Sequence, residues 1–173
     1  MQEFKDWIFI SEINLQCKIA LKAFDRLEIA SDNSDHLEIW GALQSILIAT
    51  ANVSKILWSA KHAVPSESLR VELKIGANNI LANREFRNHF EHYDERIEDW
   101  FQKSSGHVFT DLQMNPSLMN PLLKQYDYGI ANRGYNSFNN TLVFRNKTLD
   151  LNELKSALLE VRKRCLGFVL DYP

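Results

Sequence analysis

From Phe4 to about Ala30 the chain contains neither glycine nor proline. So long a run without a backbone breaker leaves few folds open, and the spacing of its apolar residues chooses among them. Ile8, Leu15, Ile19, Leu27 and their neighbours recur at helical spacing, which predicts a first helix over that whole span. A polar break follows at Ser31-Asp32-Asn33-Ser34. Asp35 with Glu38 three residues on forms a capping box, so a second long helix is expected to start there and run to about His62. Pro65 and Ser66 punctuate the chain. A third helix is expected from near Ser66, weakening around Gly76-Ala77-Asn78-Asn79. Asn83 can cap a fourth, from Arg84 to about Lys103, and the pattern Asp150-x-x-Glu153 opens a fifth that extends to Leu170.

Between the fourth and fifth helices the helical period vanishes. Residues 104–149 are dominated by Asn, Gly, Pro and aromatics, with two short extended runs, His107–Leu112 and Thr141–Leu149, the second folded back near Asn146-Lys147. This segment is too short and too poor in apolar periodicity to hold a core of its own. The expectation is therefore a mainly α fold: an up-and-down bundle of about five helices in one domain over 1–173, with an irregular loop and hairpin insertion at 104–149.

A length of 173 residues suits one domain, and 45% hydrophobic with 24% charged residues is the composition of a globular chain. The 20 Lys plus Arg against 22 Asp plus Glu leave a formal charge of −2, which excludes nucleic-acid binding by bulk positive charge and requires a local patch instead. Cys17 and Cys165 offer neither zinc spacing nor a disulfide framework, so a reducing, cytoplasmic setting is expected. No apolar run reaches the length of a membrane span, and Trp7-Ile8-Phe9-Ile10 is too short for a secretory leader.

The chemistry-bearing stretch runs from Arg84 to Arg96. On one continuous helix, Phe86, Phe90, Tyr93, Ile97, Trp100 and Phe101 line a single stripe, expected to be the buried face. Arg87 flanks that stripe on one side, and His89, His92 and Arg96 lie on or beside the other. Arg87 and His92 are separated by roughly 140° on an ideal helix. They converge only if the helix bends near them or if two copies cross in a dimer.

Arg87-Asn88, three residues, then His92-Tyr93 resembles the Arg-x4-6-His motif of the HEPN superfamily, whose fold is a bundle of four or five helices with the motif near the start of a late helix. In that family a polar residue, often Asn, follows the arginine, as Asn88 does here. The resemblance implies a metal-independent endoribonuclease or RNA-binding protein, acting as a homodimer, of the kind found among toxins of toxin–antitoxin pairs and antiviral defence proteins. It implies Arg87 and His92 as catalytic residues, with Asn88, Arg84 and His89 supporting or binding phosphate. It also implies single-stranded RNA as substrate, an antitoxin protein as a further partner, and neither metal nor cofactor. The 104–149 insertion departs from a minimal bundle of that family.

The residue types suit the reaction. A histidine titrating near neutrality moves protons, and an arginine offers a fixed, always-charged fork to phosphate oxygens. Attack by a ribose 2′-hydroxyl leaves a 2′,3′-cyclic phosphate, so DNA is spared. Plainer readings stand beside this one: Arg87 with Glu91 as a helix-surface ion pair, His92 as a solvated residue, or a non-catalytic module binding a nucleotide or protein. His89 and His92, with Glu85 one turn earlier, also form a sparse metal-ligand set. The aromatic, Asn-rich loop from Tyr126 to Asn140 can stack on unpaired bases, while the acidic run Asp94, Glu95, Glu98 and Asp99 would direct RNA toward the Arg87 end.

Overall fold

The computed structural model describes residues 2–103, 109–115, 132–145 and 147–169. The protein is mainly α, with six α-helices among the described residues and a small four-stranded sheet before the last helix. Its contacts divide it into two compact units, Met1–Arg87 with Glu153–Pro173, and Asn88–Asn152. The second unit thus begins well before residue 104, taking in the helical segment ahead of the irregular stretch.

The first unit is built on α1 (Gln2–Asp32) and α2 (His36–Leu57). In α1 the buried seam is Ile10, Ile13, Cys17, Ala20, Phe24 and Leu27, alternating steps of three and four. In α2 the same alternation runs through Ile39, Leu43, Ile46, Thr50, Val53 and Leu57. Two such seams joined by a short turn make a close-packed antiparallel pair. Gln16 and Asn52 pin its register, with Asn52 Nδ2 donating to Gln16 Oε1 at 3.2 Å. The helical spacing does not by itself mark the seam. Of the residues whose spacing marks the helix, Leu27 is buried, but Ile8, Leu15 and Ile19 lie on the exposed side. Helix α1 is apolar on two faces. The face carrying Cys17, Ala20 and Ala23 is buried because small side chains let a neighbour approach closely.

Asp35 caps α2 as its spacing requires, its Oδ1 accepting from Glu38 N–H at 3.1 Å. The Glu38 carboxylate meets Arg26 of α1, at 2.6 Å. Helix α2 ends at Leu57, before His62, and α3 (Ala63–Glu72) follows. Helix α6 (Leu151–Cys165) is the last, its buried residues Leu151, Leu154, Leu158, Val161 and Cys165 repeating the three-four step. Asp150 caps it through Asn152 N–H at 2.8 Å, and Lys155 Nζ lies 5.6 Å above the Phe24 ring of α1. The helix stops at Cys165, short of the expected end at Leu170, because residues 166–168 turn and 169 bends away. Cys17 and Cys165 are free and fully buried, and burial pushes the Cys165 thiol up to about 12, so neither is poised as a thiolate.

The second unit carries helix α5 (Tyr93–Lys103) and strands β1 (Gln113–Met114), β2 (Gly134–Asn136), β3 (Thr141–Phe144) and β4 (Lys147–Asp150), in that order across the sheet. The β1–β2 pair is parallel and the other two are antiparallel. The fold-back of Thr141–Leu149 is present as β3 and β4, paired from Thr141↔Asp150 to Phe144↔Lys147. Strand β2 was not legible as a strand, since its three residues sit among Asn and Gly that mark loops. The first extended run begins in 107–108, outside the described residues, and the strand that forms, β1, lies just beyond it.

Candidate functional site

The segment around the motif is held from its N-terminal side. Asn79 Oδ1 accepts from Leu81 N–H at 3.0 Å and starts a short 3-10 turn, Ile80–Ala82, that buries Leu81 completely. Asn83 Oδ1 accepts from Glu85 N–H at 2.8 Å and opens α4 (Glu85–Glu91), with Phe86 buried as its anchor. The predicted cap is real, but the predicted helix is interrupted. Helix α4 has seven residues, His92 is a turn residue, and α5 starts at Tyr93. Hydrogen bonds from His92 N–H to Asn88 O at 3.1 Å and from Arg96 N–H to His92 O at 3.2 Å flank the joint.

The candidate residues thus fall on different elements. Arg84 precedes α4 and is half-buried. Arg87 is half-buried in α4 and closes the first unit; Asn88, exposed, opens the second. His89 turns its ring flat against Phe144 of β3, with centroids 4.0 Å apart and planes 3° from parallel. His92 stands at the joint with half its side chain exposed, Nδ1 lying 3.4 Å from Glu95 Oε1. Among the described residues no group of three or more His, Cys, Asp or Glu could hold a metal ion.

The apolar stripe is only partly a buried face. Phe86 is buried, Phe90, Tyr93, Ile97 and Trp100 are half-buried, and Phe101 is 62% exposed. No residue of α5 is fully buried. What meets the stripe is a cation. The Arg133 guanidinium lies 3.7 Å from the Tyr93 ring centroid and 5.5 Å from that of Phe90. Its fork grips Asp111, with Nη2–Oδ2 at 2.5 Å and Nε–Oδ1 at 3.0 Å, and Arg133 N–H donates to the same carboxylate. Burial opposes the charge on Arg133, and Asp111 outweighs it, raising the pKa. Burial and the neighbouring Asp111 push the Tyr93 phenol well above its ordinary value.

A second arginine repeats the device. Arg145 donates to Asp99 Oδ2 and to the Arg96 carbonyl, both at 2.9 Å, and to Asn132 Oδ1 at 3.1 Å. Asn132, itself buried, also donates to the Thr110 carbonyl through its backbone and side chain. Lys103 and then Arg145 hold the Asp99 carboxyl down at about 2. Asp99 is thus not part of a freely repelling acidic face. Of the expected base-stacking loop, residues 126–131 lie outside the described residues, and the rest forms β2 and a turn, with Tyr135 buried. Asp111, Arg133 and Arg145 were missed because nothing local in the sequence pairs partners 22 and 46 positions apart.

No protein-family model, curated protein or solved structure matches the chain. The functional reading rests on its residues.

Proposed function

We propose that the protein is a metal-independent endoribonuclease or RNA-binding protein of HEPN type, with Arg87 and His92 central and Asn88, Arg84 and His89 supporting or binding phosphate. One observation carries this reading. His92 is held at a helix joint, exposed, with a carboxylate at its Nδ1. Glu95 there favours the Nδ1–H tautomer, leaving Nε2 to exchange protons with substrate.

In the proposed reaction the ribose 2′-oxygen loses its proton to a base and forms a bond to phosphorus. The bond from phosphorus to the 5′-oxygen breaks, and that oxygen is protonated as it leaves. His92 supplies one of the two proton transfers, and Arg87 stabilises charge on the non-bridging oxygens. The products are a 2′,3′-cyclic phosphate and a 5′-hydroxyl. The second proton-transfer group comes from a second copy, which makes a homodimer part of the proposal. A cytoplasmic role in toxin–antitoxin or antiviral defence, with an antitoxin as partner, belongs to the same reading.

The test is cleavage of a labelled single-stranded RNA, and of the matching DNA, in excess EDTA. RNA alone should be cut, giving cyclic phosphate ends. His92→Ala should lower the rate by a factor of about 10² to 10⁴ without shifting the thermal midpoint, since the side chain is half-exposed. Cleavage undiminished in that variant, or lost with EDTA and restored by one divalent ion, overturns it.

A second reading, a non-catalytic interaction module, is favoured by the exposed apolar row of α1: Phe4, Trp7, Ile8, Leu15 and Ile19. If the wild type binds a protein partner but neither cuts nor binds RNA, that reading stands.

A further inference from the structure

Within the first unit a cleft of about 170 Å³ opens where the start of α1, the end of α2 and the start of α3 meet. Its walls are apolar: Phe9, Ile56, Pro65 and Leu69. Its mouth is not. Lys5, Lys55 and His62 line it, and among the described residues no Asp or Glu does. Among the described residues neither lysine is in an ion pair; the partner recorded for Lys5 is the Phe9 ring, 5.8 Å away. Two like charges at one mouth repel, and a surface selected for stability alone intersperses the signs.

Hydrogen bonds also brace one side of the cleft. Ser66 Oγ donates to the Ile56 carbonyl at 2.7 Å and accepts from Ser59 N–H at 3.3 Å, while Arg70 donates to the Leu57 carbonyl. These bonds tie the open end of α2 to α3. Ser59 Oγ accepts from His62 N–H at 3.1 Å and keeps its own proton to donate. The recess therefore presents two ammonium groups, an imidazole and a hydroxyl donor above a preformed apolar slot.

We infer that this cleft binds a small organic phosphate, its dianionic head between Lys5 and Lys55 and its ring-sized body against Phe9 and Leu69. The volume suits one ring, since an apolar cavity of roughly 150 Å³ accommodates benzene. The two positive charges match the dianion, and an anion relieves the repulsion between them. The site is independent of the Arg87–His92 motif.

Phenyl phosphate is the probe, titrated calorimetrically into the full chain at low ionic strength. Saturable one-to-one binding is expected, with inorganic phosphate and benzyl alcohol each at least tenfold weaker because each lacks half of the recognition. Lys5→Ala and Lys55→Ala should each weaken phenyl phosphate roughly tenfold, the loss of one charge-assisted contact. Lys163→Ala, outside the cleft, should change nothing. Both cleft lysines are exposed, so their variants are expected to keep the wild-type circular dichroism. Absence of saturable binding overturns the inference. So does equal binding of phenyl phosphate and inorganic phosphate, or equal binding by wild type and the Lys5→Ala/Lys55→Ala double variant. RNA cleavage stands or falls separately, through His92.

Discussion

The two units of this protein solve the packing problem in opposite ways. The first buries three helical seams rich in Ile, Leu, Val, Ala and Cys, and its polar groups are mostly neutral ones bonded to nearby backbone or amides. In the second, two arginines lie among aromatic rings and carboxylates, each making several hydrogen bonds. An apolar seam tolerates small shifts because dispersion is not directional. An arginine fork does not, because leaving a partly buried carboxylate unpaired costs several kcal/mol. The first unit should therefore respond to mutation according to the buried volume removed, and the second according to whether a charge is left unpaired.

The largest effects test that contrast directly. Leu43→Ala, at a fully buried seam position, should cost about 3 kcal/mol, read as lost hydrogen-exchange protection in α1 and α2. Arg133→Ala should cost about 3 kcal/mol in the second unit, because Asp111, only 16% exposed, loses its partner. The double variant Arg133→Met/Asp111→Leu should be milder than Arg133→Ala alone. If the double is worse, packing and not charge pairing holds that unit.

Acid sharpens the comparison. Asp99 is depressed from 3.8 to about 2 by Lys103 and Arg145. A carboxyl with a lowered folded-state pKa contributes stability above its unfolded pKa and loses it as pH falls through the folded value. The second unit should thus weaken between about pH 4 and pH 2, followed by near-ultraviolet circular dichroism, and Asp99→Asn should flatten that response. An unchanged profile would mean that the Arg145 cluster does not support the unit.

Smaller effects follow. Asn140 ends the β2–β3 turn at φ 54°, and its Oδ1 accepts from the Tyr135 hydroxyl at 3.0 Å. Asn140→Ala should cost about 1 to 2 kcal/mol, and Asn140→Gly less, as measured by urea unfolding. Smallest of all is the exposed Arg26–Glu38 pair: Arg26→Ala should change stability by less than about 0.5 kcal/mol, and by nothing measurable at high salt.

Much of the secondary structure in both units was legible in the sequence alone. A run free of Gly and Pro compels a helix at α1, Asp35 and Asp150 locate helix starts by their capping oxygens, and Thr141–Leu149 folds back as its composition implies. These are local facts, set by backbone sterics and by hydrogen bonds a few residues long. Two things were not local. Which of α1's two apolar faces is buried depends on the helices packed against it, so Ile8, Leu15 and Ile19 face outward despite their helical spacing. The candidate site divides in the same way. Asn83 announces the start of α4, but the joint at His92, the stacking of His89 on Phe144 and the cation over Tyr93 all involve the tertiary structure. Arg133 and Arg145 read as ordinary loop charges until folding brings Asp111 and Asp99 to them, because an ion pair depends on distance in space and leaves no period in the chain.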